Sequence, residues 1–120
     1  MRREWPQGHT VFSQGEDGDA LYVIARGSAS VWLRDPESGL RRLMTFSQGT
    51  FFGEMALLDR ERRSATVTAD ERLICYVLDR ASFEALSRTH PGAGIAILAN
   101  VGRELSQRMR RTNRTLAELA

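Results

Sequence analysis

Along its first two thirds the chain places apolar residues in short runs separated by turn-formers. Residues 20–25, 28–34, 40–46 and 73–78 are strand-length apolar or alternating segments. A fifth begins at Ala65, where Ala65, Val67 and Ala69 alternate with Ser64, Thr66 and Thr68, the signature of a strand with one buried face. Residues 6–12 form a turn entering a short strand. The punctuation is regular: Gln14-Gly15-Glu16-Asp17-Gly18-Asp19, Arg26-Gly27, Asp35-Pro36-Glu37-Ser38-Gly39, Ser47-Gln48-Gly49 and Asp70-Glu71-Arg72. Short strands so spaced predict a small antiparallel barrel or sandwich.

The period then changes. Asp79 is a plausible N-cap for a helix to about residue 89, with Phe83 and Leu86 inward. Thr89-His90-Pro91-Gly92 breaks it. A longer helix is expected over 94–119. Ile95, Leu98, Gly102, Leu105, Met109, Thr112, Leu116 and Leu119 recur in threes and fours as one stripe. Arg103, Arg108, Arg110, Arg111 and Arg114 lie off it.

Within the strand region stands the stretch 51–68, FFGEMALLDRERRSATVT. Two aromatics, a glycine and a glutamate precede a helix-permissive run, Met55-Ala56-Leu57-Leu58. A charged loop then leads to Arg63-Ser64 and a strand. A short helix between two strands, with an arginine beyond it, is suited to seat a small anion. The helix start offers free backbone N–H groups, and the arginine a forked cationic donor.

This stretch resembles the phosphate-binding cassette of cyclic nucleotide-binding domains, found in catabolite activators, kinase regulatory subunits and cyclic nucleotide-gated channels. The family pattern is matched without a gap by Phe52-Gly53-Glu54-Met55-Ala56-Leu57 and Arg63-Ser64-Ala65-Thr66-Val67. Arg62 departs from it, since many members have proline there. The resemblance implies a mainly β fold with added helices: an antiparallel jelly-roll β-barrel over about 8–79, with a short cassette helix and two C-terminal helices. It implies one domain over 1–120, with a hinge at about 79–89 and a lid at 94–119. The ligand would be cAMP or cGMP, and the residues do not choose between them.

The chemistry agrees residue by residue. Arg63 can pair with the phosphate through a charge-assisted bond worth about 1.5–3 kcal/mol. Gly53 lets backbone approach a ligand closely. Backbone N–H groups of Met55, Ala56 and Ser64, and the Ser64 hydroxyl, are candidate phosphate donors. Glu54 would be repelled by a phosphate, and the resemblance assigns its carboxylate to the ribose hydroxyl. The bland alternative is that Glu54 favours a helix N-terminus and pairs with Arg63, or that Arg63 pairs with Asp59. On the lid, Arg103 is a candidate for stacking on the purine. The stripe beyond Leu105 outruns a lid and suggests pairing with a second copy or a host protein.

Composition narrows the alternatives. The chain has 120 residues, 42% hydrophobic, with net charge +2. All seventeen basic residues are arginine, yet no aromatic interleaves with the C-terminal arginines, so nucleic acid is not an expected partner. No run is long enough to span a membrane and no signal peptide opens the chain. The single Cys75 fits a reducing, cytoplasmic setting and a core position. His9 and His90 lack metal-ligand spacing, and no nucleophile–base set is visible, so neither a metal, another cofactor nor an enzyme is expected. Without an output domain, the chain reads as a sensor segment that is part of, or derived from, a larger bacterial protein. The competing reading is an interaction module that keeps the fold without binding nucleotide.

Overall fold

The computed structural model describes residues 1–54, 57 and 61–119. Among these residues eight strands form two four-stranded antiparallel sheets. β1 (Arg2–Trp5), β8 (Leu73–Asp79), β3 (Ala20–Arg26) and β6 (Phe51–Phe52) lie side by side in that order. The second sheet runs β2 (Thr10–Phe12), β7 (Thr66–Ala69), β4 (Ser28–Asp35), β5 (Gly39–Ser47). The strands thus divide between two open sheets and do not close into a barrel. Non-sequential neighbours dominate, so pairing is long-range: Tyr22 of β3 faces Val77 of β8, and Val31 of β4 faces Val67 of β7.

Both sheets contribute to one core. Trp5, Tyr22, Ile24, Phe52, Leu73 and Cys75 come from the first, and Phe12, Ala29, Val31, Val67 and Ala69 from the second. The alternation expected for β7 is observed, with Val67 and Ala69 inward. On its other face Thr66 Oγ1 accepts from the Gln14 N–H at 2.9 Å, and Thr68 Oγ1 from Trp32 Nε1–H at 2.9 Å. Ser30, fully buried, donates its hydroxyl to Asp70 Oδ2 at 2.8 Å. That bond offsets the desolvation of the hydroxyl. Cys75 has no exposed surface, and burial pushes its thiol up to about 11. It is core filler, as its place in an apolar run suggested.

Three features differ from the sequence reading. β1 was not anticipated: Arg2, Arg3 and Glu4 are exposed, and only Trp5 is buried. It is held by its ladder to β8 and by Glu4 against Arg72. The near-continuous apolar run 73–78, expected to be a buried strand, is buried at Leu73, Ile74 and Cys75 and half-buried at Val77 and Leu78, while Tyr76 faces solvent. The helices α1 (Arg80–Thr89) and α2 (Pro91–Leu119) are nearly continuous. Pro91 begins α2 rather than breaking the chain for several residues, because a proline at the first helical position forfeits no intrahelical bond.

The chain divides into two compact units, Met1–Arg80 and Ala81–Ala120. In the second, α1 and α2 meet at Ser87 and Gly94, where an added Cβ would lie 3.0 Å from Ser87 Cβ. Phe83 and Leu86 are half-buried. The expected stripe on α2 is largely exposed at Ile95, Leu98, Met109, Leu116 and Leu119, while Gly94 and Val101 are its buried residues. Ile97 and Val101 make a second apolar face that the three-four count passed over. Arg108 and Arg111 both reach Glu104, at 3.2 and 3.5 Å. Among the described residues no helix is long and apolar enough to cross a membrane.

The β3–β4 turn offers a test of the register. Gly27 has φ +90°, and a Cβ there would collide with the Arg72 carbonyl; Gly39 has φ +86° with open space around it. Gly39→Ala should therefore cost about 1–2 kcal/mol from backbone strain alone, and Gly27→Ala at least about 3 kcal/mol. Urea unfolding of both variants checks this, and equal losses would contradict the packing of this turn on Arg72.

Candidate functional site

Arg63 precedes β7, and its backbone is fastened to the 14–19 turn. The Gly15 N–H donates to the Arg63 carbonyl at 2.8 Å, and the Arg63 N–H to the Glu16 carbonyl at 2.8 Å. So held, the residue is buried, with only 8% of its surface exposed. Nη1 donates to the Gly53 carbonyl at 3.1 Å and Nη2 to the Ala20 carbonyl at 3.1 Å. Cζ lies 4.0 Å from the centre of the Phe12 ring and 5.6 Å from that of Tyr22. Cation–π attraction of this kind contributes about 0.5–2 kcal/mol.

Two of the five guanidinium N–H donors are thus given to main-chain carbonyls. Nε–H is buried and meets no acceptor among the described residues. A buried donor left unpaired costs about 1–3 kcal/mol, more for a charged group. Burial pushes the Arg63 guanidinium below its ordinary value, and Tyr22, Asp19 and Glu16 push it back. A guanidinium nonetheless stays protonated in a protein. The site therefore holds a fixed, desolvated cation whose Nε–H, packed against Gly18, meets no acceptor among the described residues.

Gly53 has φ +77°, and a Cβ there would lie 2.9 Å from Arg63 Nη1 and 3.0 Å from the Ala20 carbonyl oxygen. The close approach that glycine permits here is that of Arg63. Glu54 follows at once and is buried, and its carbonyl accepts from the Leu57 N–H at 3.0 Å, a first helical turn. Met55 and Ala56, expected to donate backbone N–H groups, lie outside the described residues, as does Asp59. Ser64 is exposed beside Arg63. Arg62 is a surface residue 3.7 Å from Asp17. Arg103 belongs to the second unit, exposed, with its guanidinium against Asn100 Oδ1 of the same helix.

The first unit thus brings Gly53 and Arg63 into contact and places Glu54 next in the chain. It adds residues that the sequence did not single out: Phe12 and Tyr22 as ring partners, Ala20 as a carbonyl acceptor, and Gly18 against the guanidinium. The acidic turn before residue 20 was the available signal, since it carries the backbone to Arg63.

Residues 2–90 match the family profile described as the cyclic nucleotide-binding domain. The chain belongs to the cyclic nucleotide-binding domain family. It is 32% identical over 116 residues to a CRP-like cAMP-activated global transcriptional regulator of Mycobacterium tuberculosis, covering 97% of this chain and 50% of that protein. Among solved structures it resembles the catabolite activator protein of Thermus thermophilus, at 35% identity and TM-score 0.77 over 99% of this chain and 54% of that one. A cyclic nucleotide-binding domain from Methylobacillus flagellatus gives TM-score 0.86 at 26% identity, covering 92% of this chain and 62% of that one. The chain spans about half the length of the curated relatives it matches. The family membership inferred from the cassette motif is therefore established.

Proposed function

We propose that the chain is a regulatory domain that captures a cyclic nucleotide, cAMP or cGMP, and performs no catalysis of its own. The observation that carries this is the buried Arg63 guanidinium, held on Gly53 and Ala20 carbonyls with its Nε–H unmet among the described residues. A cyclic phosphodiester supplies one negative charge and exocyclic oxygens to that guanidinium. Gly53, Met55, Ala56 and Ser64 line the phosphate with backbone groups, Glu54 takes the ribose 2′-hydroxyl, and Arg103 stacks on the base. The two sheets act as a jelly-roll shell, α1 as hinge and α2 as lid. The nucleotide favours the closed lid because only that state encloses the base.

The domain works as the sensor part of a larger cytoplasmic bacterial protein. The exposed apolar residues of α2 give it a face for a second copy or for the host. Nucleic acid is not an expected partner, because no aromatic residue interleaves with the arginines of that helix.

Calorimetric titration with cAMP and with cGMP tests the reading. At least one should bind with measurable heat, and Arg63→Lys should weaken it by about 1.5–3 kcal/mol, since lysine keeps the charge and loses the fork. Unchanged affinity in that variant, or no heat with either nucleotide at millimolar concentration, sinks it. The ribose assignment has its own check. Glu54→Ala and removal of the ligand's 2′-hydroxyl should each cost about 1–2 kcal/mol, and together no more than either alone. Additive losses would mean that Glu54 does not meet that hydroxyl.

A further inference from the structure

The turn Gln14-Gly15-Glu16-Asp17-Gly18-Asp19 is not explained by the core or by the ligand contacts proposed above. Its backbone is bonded to Arg63 in both directions through Gly15 and Glu16. Gly18 lies directly against the guanidinium. A Cβ built at Gly18 would fall 2.5 Å from Cζ and 2.8 Å from Nη2, and would overlap Nε. Of the ten glycines only Gly18 and Gly53 meet this side chain.

The two are not equivalent. Gly53 has a positive φ, so its backbone already favours glycine. Gly18 does not, so its backbone gives no reason for glycine there. The space does. An exposed arginine would swing aside from a new methyl at little cost. Arg63 is buried and tethered at both ends of its fork to Gly53 and Ala20 carbonyls. To restore ordinary contact, Cζ would retreat by roughly 1 Å, enough to spoil both bonds.

We propose that Gly18 is a positioning residue for the anion site: its missing side chain is what lets the Arg63 head group lie in register with the Gly53 and Ala20 carbonyls. This rests on the cyclic-nucleotide reading. Gly18 touches no ligand in this account and acts only through Arg63. The acidic turn is therefore a template for the cation, with steric fit at Gly18 as its working part.

The test compares Gly18→Ala with Asp17→Ala, a change in the same turn at a side chain that is 93% exposed. Titrated with cAMP and cGMP, Gly18→Ala should bind at least about tenfold more weakly, and Asp17→Ala within about twofold of the parent chain. In ligand-free 15N-labelled protein the Arg63 Nε–H resonance should be slow to exchange in the parent and in Asp17→Ala, and shifted and fast-exchanging in Gly18→Ala. Thermal unfolding supplies a rescue: the loss of Tm caused by Gly18→Ala should largely vanish when Arg63→Ala removes the head group. Parent-like affinity with an unmoved Nε–H resonance overturns the proposal. So does a loss of Tm that persists in the Arg63→Ala background, which also covers a Gly18→Ala chain too unstable to titrate. If the parent chain binds neither nucleotide, the functional reading fails and the positioning role with it, while the resonance and rescue measurements still report whether the steric contact exists.

Discussion

The structure depends on burying one guanidinium without a full set of partners. Taking a cation out of water costs several kcal/mol unless it is hydrogen-bonded and compensated. Around Arg63 the compensation is partial. Two carbonyl dipoles, an aromatic face and two nearby carboxylates hold it, and one donor edge stays unmet among the described residues. This buried, partly compensated cation is the group to which the proposed function assigns the anion of a cyclic nucleotide.

The rest of the first unit makes that position rigid. Tyr22 stacks on Phe52 with ring centres 5.0 Å apart, Phe12 packs at 5.7 and 5.9 Å from those two rings, and Trp5 closes on Tyr22 edge-on at 5.9 Å. These rings come from both sheets, so the wall under the guanidinium is also the bond between the layers. Ala20 and Gly53, which supply its two acceptors, begin β3 and follow β6, and those strands pair directly. Sheet register thus sets the distance between acceptors to match the arginine fork.

Much of this was legible in the sequence because it is written locally. Alternation gave β7, glycine and acid clusters gave the turns, and the gap-free cassette gave the family. What was missed is written in tertiary contacts. β1 buries one residue, Trp5, so no periodicity marks it; its partner β8 does. Pro91 looks like a breaker until its place as a first helical residue is known. The α2 stripe was counted on Ile95 and Leu98, yet Gly94 and Val101 are the buried ones, because two apolar faces share that helix. Gly18 looked like a turn former like any other, since no local pattern tells which glycine has a guanidinium above it. At the site, Arg63 and Gly53 were named for the ligand's sake. The structure adds that each also exists for the other, which linear spacing cannot express.

A crystal structure of the chain with bound cAMP or cGMP tests the central claim most directly. The account predicts a phosphate oxygen at about 2.7–3.2 Å from the Arg63 guanidinium, with the bonds to the Gly53 and Ala20 carbonyls retained. A phosphate seated away from Arg63, or an Arg63 side chain swung clear of those carbonyls to reach it, would contradict a cation positioned in advance.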